Sequence, residues 1–373
     1  MKKILVVDDS ALMRKLLTGV LVGGGYEVKS ARNGSEAVEM VVDWEPDAVT
    51  LDINMPEMDG LTALSLIMSA RPTPVVMVSS LTEKGALATF EALALGAVDF
   101  IPKPGGTISL HLDDIKAMLL DKVRSACRAR VGGVGGGRSL AGAPRPVARP
   151  APASAAVRAP IISPPAPPVP AARPATAGLG GAHPPGLVLI GVSTGGPRTL
   201  EDILPKLAAN FPWPVLVAQH MPANFTDTFA KRMDSLCALN VVEAATPMPL
   251  QAGTVYIGRG GTDLTVTNRA GVLYAAPRPE TPGVLWHPSV EVMVESAMQH
   301  LPAGKLVGVM LTGMGNDGAA AMAKLHAAGG RTIAESADTA VVFGMPAELI
   351  ERRGASMVLP CTGIAAQLRI WLH

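Results

Sequence analysis

Ser193, His220 and Asp317 are the residues whose types could do chemistry together. A hydroxyl, an imidazole and a carboxylate supply a nucleophile, a base to take its proton, and an acid to orient and stabilise the imidazolium. Each stands just past an apolar run of strand length. Leu187-Val188-Leu189-Ile190-Gly191-Val192 stops at Ser193, followed by Thr194-Gly195-Gly196-Pro197. Pro214-Val215-Leu216-Val217-Ala218-Gln219 ends on His220, and residues 305–312 run into Gly313-Met314-Gly315-Asn316-Asp317-Gly318. Continuous apolar runs read as buried parallel strands. Open α/β sheets carry their chemistry at the carboxyl ends of the strands, so parallel neighbours would bring the three side chains to one sheet edge. Taken singly, Ser193 could cap the next helix and His220 could be structural. Three strand ends in the right chemical classes favour the triad.

A second set of polar residues lies in the first third of the chain, again after apolar runs. Asp8 and Asp9 follow Ile4-Leu5-Val6-Val7, Asp52 ends Ala48-Val49-Thr50-Leu51, Ser79 follows Val75-Val76-Met77-Val78, and Lys103 follows Val98-Asp99-Phe100-Ile101. Clustered carboxylates repel unless a cation joins them. Oxygen-only ligation beside a phosphate site suits Mg2+, and a carboxylate can itself accept a phosphoryl group. Asp8 or Asp9 alone could cap a helix or face water, but that leaves the spaced Asp, Ser and Lys unexplained.

Both sets carry a resemblance. Gly191-Val192-Ser193-Thr194-Gly195-Gly196, Gln219-His220-Met221-Pro222 and residues 312–318 are similar to motifs of the catalytic domain of chemotaxis protein-glutamate methylesterases. The resemblance spans residues 186–373. It implies Ser193 as nucleophile, His220 as base and Asp317 as orienting acid, with backbone amides around Thr194 and Met314 receiving the oxyanion. The stretch from Asp8-Asp9 through Asp52-Ile53-Asn54-Met55-Pro56 to Lys103-Pro104 resembles the receiver domain of two-component response regulators. That implies phosphorylation of Asp52 by a histidine kinase. It also implies Mg2+ on Asp8, Asp9, Asp52 and the Asn54 carbonyl, phosphoryl contacts from Ser79 and Lys103, and a cis Lys103–Pro104 bond. Phe100 falls where the family has a switch aromatic; filling the core is the alternative. Trp286-His287-Pro288-Ser289-Val290-Glu291 departs from the family's Arg-Pro-Ser-Val-Asp, with His287 in place of arginine and Glu291 in place of aspartate. The departure bears on which substrate sequence is preferred. Ser289 reads as a helix cap rather than as a rival nucleophile served by His287.

These residues need particular elements to position them. In residues 1–125, five strands alternate with helices, which implies a doubly wound, flavodoxin-like parallel sheet. Residues 186–373 add short strands at 254–258, 264–266 and 331–334. Helices are expected near 200–209, 225–236, 290–300 and 319–328. The fold class is therefore α/β, two doubly wound parallel-sheet domains, the second a larger Rossmann-like hydrolase domain. Between them, residues 126–185 form a Gly-, Pro- and Ala-rich linker with no acid between Asp121 and Glu201. Such composition does not build a core, so this segment is expected to be a disordered tether.

Composition narrows the function classes. The chain has 32 basic and 31 acidic residues, a net charge of +1, which argues against a broad nucleic-acid surface. Its 3 cysteines, Cys127, Cys237 and Cys361, lie far apart and odd in number, which fits a reducing cytosol rather than a disulfide framework. No apolar run approaches the ~20 residues of a membrane helix, so no direct membrane insertion is expected.

Two other function classes remain at this point. Gly313-Met314-Gly315-Asn316-Asp317-Gly318 matches G-x-G-x-x-G, with Glu335 following the next strand, as in a dinucleotide fingerprint. It lies deep in its domain, however, and leaves Ser193 and His220 without a role. A non-enzymatic regulator is the third class. The favoured expectation is a cytoplasmic, monomeric, phosphorylation-activated esterase. By resemblance it removes glutamate methyl esters from methyl-accepting chemotaxis receptors and deamidates their glutamines, with no cofactor in the catalytic domain.

The tether carries a prediction of its own. Flexible-chain scaling gives a span of about 40 Å, an effective concentration of about millimolar order. A docked interface rather than the tether must then hold the receiver over the hydrolase. Closure entropy changes by only about 0.6 kcal/mol per doubling of length. Deleting half of residues 126–185 should therefore change basal methanol release by less than about threefold. A larger change would mean that the tether itself sets the closed state.

Overall fold

The computed structural model describes residues 1–80, 82–103, 112–129 and 184–372. The tether expected between the domains lies almost wholly outside the described residues, as does Pro104 and with it the expected cis bond.

The first sheet contains β1 (Lys3–Val7), β2 (Glu27–Ala31), β3 (Ala48–Asp52), β4 (Val75–Ser79) and β5 (Asp99–Pro102), all parallel in the order β2-β1-β3-β4-β5. Helices α1 (Ala11–Gly23), α2 (Gly34–Trp44), α3 (Gly60–Ala70), α4 (Glu83–Leu95) and α5 (Leu112–Ala126) make the crossovers. Side chains alternate across a strand, and β1 shows the consequence. Leu5 and Val7 enter one apolar core, Ile4 and Val6 the core on the opposite face. Helix starts follow local capping: Ser10, Asn33, Asp59 and Thr82 each accept a backbone N–H of the first turn they precede.

The second sheet is built from β6 (Leu187–Val192), β7 (Val215–Gln219), β8 (Asn240–Ala244), β10 (Thr254–Gly258), β13 (Leu306–Met310), β14 (Arg331–Glu335) and β15 (Met357–Leu359). Its order is β15-β14-β13-β6-β7-β10-β8, parallel throughout. The chain starts at β6, winds outward through β7, and later returns to the other side of β6 with β13. The switch point therefore lies beside β6, where open sheets form their ligand crevices. Helices α6 (Gly196–Ile203), α7 (Ala223–Leu236), α8 (Val290–Met298), α9 (Ala319–Ala327), α10 (Met345–Glu351) and α11 (Cys361–Leu372) complete this part. Val188, Ile190 and Val192 of β6 enter one core, Leu187 and Leu189 the other.

A small antiparallel sheet interrupts the winding. β11 (Thr262–Arg269) and β12 (Val272–Pro279) form a hairpin, with β9 (Met248–Pro249) added to β12. Its tip, Ala270-Gly271, has positive φ at both residues, 49° and 87°. That is the sense of twist a two-residue hairpin needs. The sequence pattern led only to a short strand at 264–266; Ala-Gly is a weaker turn signal than Asn-Gly, so the partner strand went unread. Edge strand β8, half polar, and the three-residue β15 also carried too little apolar signal.

The two parallel sheets share an apolar contact. Phe90 of α4 and Phe100 of β5 pack on Phe225 and Phe229 of α7, with ring centroids 4.4–6.5 Å apart. All four rings are buried, so in this state Phe100 fills a core. Truncating a buried phenylalanine costs about 3–5 kcal/mol. Phe225→Ala should therefore accelerate amide hydrogen exchange in α4 and α7 together. Acceleration confined to α7 would show that α4 is not held by this contact.

Candidate active site

The register of the second sheet sets the site. Val192 of β6 pairs with Gln219 of β7, so Ser193 and His220 are the next residues on adjacent strands, whose backbones lie about 4.8 Å apart. The His220 N–H donates to the Val192 carbonyl at 3.1 Å, and the Ser193 N–H to the Thr312 carbonyl at 2.9 Å. Asp317 comes from the loop after β13, on the other side of β6. His220 Nε2 lies 2.9 Å from Asp317 Oδ2. The remaining ring nitrogen, Nδ1, is buried and has no hydrogen-bond partner among the described residues. No hydrogen bond joins Ser193 Oγ to the imidazole among the described residues; in sites without substrate such contacts are commonly loose. Helix α6 takes Gly195, not Ser193, as its N-cap and has no side-chain cap bond. The serine hydroxyl is thus not spent on capping.

Asp317 is fixed from several directions. Besides His220, it accepts from Ser289 Oγ (2.9 Å) and from the N–H groups of Val290 (2.7 Å) and Glu291 (3.1 Å) at the start of α8. Burial by itself pushes its pKa up. The His220 hydrogen bond and charge, with the two amides, outweigh burial and hold the carboxyl below its ordinary range. Ser289 is the N-cap of α8 as the sequence indicates, accepting from the Val292 N–H. His287 does not serve it: its Nδ1 is 2.8 Å from Asp263 Oδ1. The Glu291 carboxylate accepts from the Ala321 N–H at 2.9 Å, tying α8 to α9, and burial raises its pKa.

Several positioning residues escaped sequence reasoning. Gln219 Nε2 donates to both the Ser193 and His220 carbonyls at 3.1 Å, bracing the two strand ends. Thr312 Oγ1 donates to the Thr194 carbonyl at 2.9 Å and accepts from the Val342 N–H at 2.9 Å. Gly313 must be glycine: a Cβ there would stand 2.8 Å from the Ser193 Cβ and 2.4 Å from Met345 Sδ. The Gly313 amide donates to Val342, while the amides of Thr194 and Met314 have no partner among the described residues. Glu335 is fully buried, accepting from the Thr312 N–H and the Thr339 hydroxyl. Burial raises its pKa against those donors. Committed to that turn, it has no edge to offer a ribose, which removes the basis of a dinucleotide site.

In the first sheet, Asp8, Asp9 and Asp52 place carboxylate oxygens within 4.8 Å of one another. Lys103 Nζ lies 2.7 Å from Asp52 and 3.2 Å from Asp8. Asp8 Oδ2 is buried without an aligned donor, an oxygen-only set that fits a hard divalent cation. Burial pushes the Asp52 pKa up; Lys103 opposes this, and Asp8 adds to it. Burial would lower Lys103, but Asp52 and Asp8 raise it. The Asn54 N–H donates to Asp52 Oδ1 at 3.3 Å. Ser79 Oγ is turned onto the Gly85 carbonyl of α4 at 3.1 Å.

Helix α5 reaches the other site. Ser125 Oγ lies 2.9 Å from Met314 Sδ. Arg124 and Arg128 line a cavity of about 770 Å³ with Met314, Gly315, Asn316 and residues 340–344 among others. Ser193 and His220 are each only 7% exposed.

The chain matches the family model described as CheB methylesterase over residues 188–368 and that of the response regulator receiver domain over residues 4–113. It is 52% identical to a protein-glutamate methylesterase/protein-glutamine glutaminase of Rhodospirillum rubrum, covering 100% of this chain and 96% of that protein. A second, of Rhodopseudomonas palustris, is also 52% identical, covering 100% of this chain and 98% of the relative. Among solved structures, the methylesterase catalytic domain of Thermotoga maritima CheB is 39% identical with a TM-score of 0.48, covering 49% of this chain and 96% of that one.

The lowered pKa of Asp317 gives a stability prediction. Its stabilising contribution is present above the ordinary carboxylate range and is lost as pH falls through the lower folded value. Asp317→Asn should cost about 1–3 kcal/mol at pH 7 and flatten the fall in stability below about pH 4, as read by urea unfolding across pH. An unchanged acid limb would mean that other carboxylates carry it.

Proposed function

Because the chain belongs to the receiver-bearing protein-glutamate methylesterase/protein-glutamine glutaminase family, we propose that it is a phosphorylation-activated hydrolase working in the cytoplasm on the signalling helices of methyl-accepting chemotaxis receptors. The observation that carries this reading is the meeting of Ser193, His220 and Asp317 at one sheet edge, with the imidazole bonded to the carboxylate at 2.9 Å.

Ser193 Oγ attacks the glutamyl ester carbonyl and gives its proton to His220. With Nε2 engaged by Asp317, the accepting nitrogen is Nδ1. The amides of Thr194 and Met314 receive the negative oxygen of the tetrahedral intermediate. Collapse breaks the bond to methoxide, which leaves as methanol with the proton from His220. Water then attacks the acyl-enzyme with His220 again as base, yielding glutamate and free Ser193. With glutamine as substrate, ammonia leaves instead of methanol. Asp317 stays ionised and pairs with the imidazolium in each half-reaction.

Control rests on the first sheet. Asp52 takes a phosphoryl group from a histidine kinase, with Ser79 and Lys103 contacting its oxygens. Asp8, Asp9, Asp52 and the Asn54 carbonyl would hold a divalent cation such as Mg2+, which would neutralise charge at the phosphoryl site. Without phosphate, α4 sits on α7 and α5 on the Met314 loop, which restricts access to Ser193; phosphorylation loosens this arrangement. The working unit is the single chain.

The test is methanol release from a receptor fragment carrying radiolabelled glutamate methyl esters. Activity should rise with a small acyl phosphate and Mg2+, Asp52→Asn should lose that rise, and Ser193→Ala should fall at least about 10³-fold. Retained turnover by Ser193→Ala would sink the triad assignment; undiminished activation of Asp52→Asn would place the phosphoryl acceptor elsewhere.

A further inference from the structure

The connection between β12 and α8 has no regular structure, yet it is firmly held. Asp263 on β11, fully buried, accepts four hydrogen bonds from it. The donors are the Thr281 N–H (2.9 Å) and hydroxyl (2.5 Å) at one end, and His287 Nδ1 (2.8 Å) and the Ser289 N–H (3.0 Å) at the other. Burial would raise the Asp263 pKa, but these donors lower it, so the clamp is an ionised carboxylate. His287, which stands where relatives were expected to carry arginine, is thereby a fastening of the loop.

The clamp presents Trp286. Its indole lies parallel to the His220 imidazole, with centroids 5.5 Å apart and planes inclined by 11°. The indole nitrogen comes 4.0 Å from where a Cβ on Gly315 would stand, so the ring spans from the base to the Met314-Gly315 turn. In-plane bonding holds the imidazole only at Nε2, through Asp317. Nδ1 has no partner among the described residues. One hydrogen bond leaves the ring free to tilt about the axis through that bond. A parallel indole face opposes that tilt. The same face offers its π electrons to the imidazolium that forms when Ser193 is deprotonated.

We propose that Trp286 is a positioning residue of this esterase: stacked on His220, it holds the imidazole plane that leaves Nδ1 available to Ser193, and it stabilises the imidazolium. This rests on the triad reading. Loss of the stack acts on the chemical step rather than on substrate binding, so kcat should fall while KM stays. A flat aromatic replacement should restore much of the loss, whereas a merely space-filling role would be served by any apolar side chain.

The experiment uses the full-length protein, activated with a small acyl phosphate, and the esterified receptor fragment. Trp286→Ala should lower kcat about tenfold with KM within about twofold. Trp286→Phe should recover most of the activity, and Trp286→Leu should not. In parallel, histidine-labelled NMR should find the His220 Hε1 resonance, identified by its loss in His220→Gln, shifted upfield by the indole ring current. That resonance should move downfield in Trp286→Ala. Wild-type kcat in Trp286→Ala, equal activity of the Phe and Leu variants, or an unmoved resonance would overturn the proposal. Ser193→Ala, run alongside, separates the two readings: if it is inactive, those outcomes count against Trp286 alone, and if it retains turnover the triad itself fails.

Discussion

Asp317 gathers donors from His220, the Ser289 hydroxyl and two amides at the start of α8, and the catalytic half of the molecule is arranged around that convergence. A carboxylate this buried costs several kcal/mol to desolvate unless charge and hydrogen bonds offset it. His220 does most of the offsetting, and the amides at the positive end of α8 add to it. In return, the carboxylate fixes where α8 begins, and α8 fixes where the β12–α8 connection must end. The Asp263 clamp fixes where that connection starts. Between the two carboxylates the chain has little freedom, and Trp286 is delivered to His220 as a consequence. A loop without regular hydrogen bonding thus acquires a definite shape from two ionised groups beneath it.

The two key aspartates show how one residue type is set to two tasks. Both are buried. At Asp317 the hydrogen-bond donors win and the carboxyl is held below its ordinary pKa. At Asp52 burial and the neighbouring Asp8 outweigh Lys103 and a single amide, and the pKa is raised. A permanent anion suits a partner for a transient imidazolium. A less solvated, under-compensated carboxylate close to Asp8 suits a group that a bound cation would stabilise. Lys103 bridges Asp8 and Asp52, and a phosphoryl group on Asp52 would meet that same ammonium.

Much of this was legible in the sequence because parallel sheets write themselves plainly. Buried strands are unbroken apolar runs, and the residue that ends each run faces the crevice. Asp8, Asp52, Ser79, Ser193 and His220 could be named from that rule, and all stand at strand ends. What the rule cannot carry is side-chain direction. Gln219 reads as one more strand residue, yet it braces two carbonyls; Glu335 reads as a ribose ligand, yet it is buried on Thr312. His287 and Trp286 lie in a stretch without periodicity, and their orientation depends on Asp263, about twenty residues earlier on another element. The hairpin and edge strands were lost for a different reason: Ala270-Gly271 is a weak turn signal, and β8 and β15 are themselves too polar or too short to read.

The contact between the two parallel sheets is bounded by energy as well as geometry. A flexible chain of about 55 residues would hold two domains at about millimolar effective concentration, against which an interface of about 4 kcal/mol would leave the closed state only half populated. Full burial of a phenylalanine contributes about 1.5–3 kcal/mol, and Phe90, Phe100, Phe225 and Phe229 pool their burial at one place. Part of that burial belongs to each domain's own core, so only a share of it holds the two domains together. A contact held by such a share lies within reach of the few kcal/mol that a single charged modification can deliver. α4, which carries Phe90, is also the helix whose Gly85 carbonyl receives the Ser79 hydroxyl. A phosphoryl group that drew Ser79 toward Asp52 would act on the element that supplies the apolar contact. The polar touch of Ser125 on Met314 is too slight to hold the domains together. It sits instead at the Met314-Gly315 turn, whose Met314 amide has no partner among the described residues.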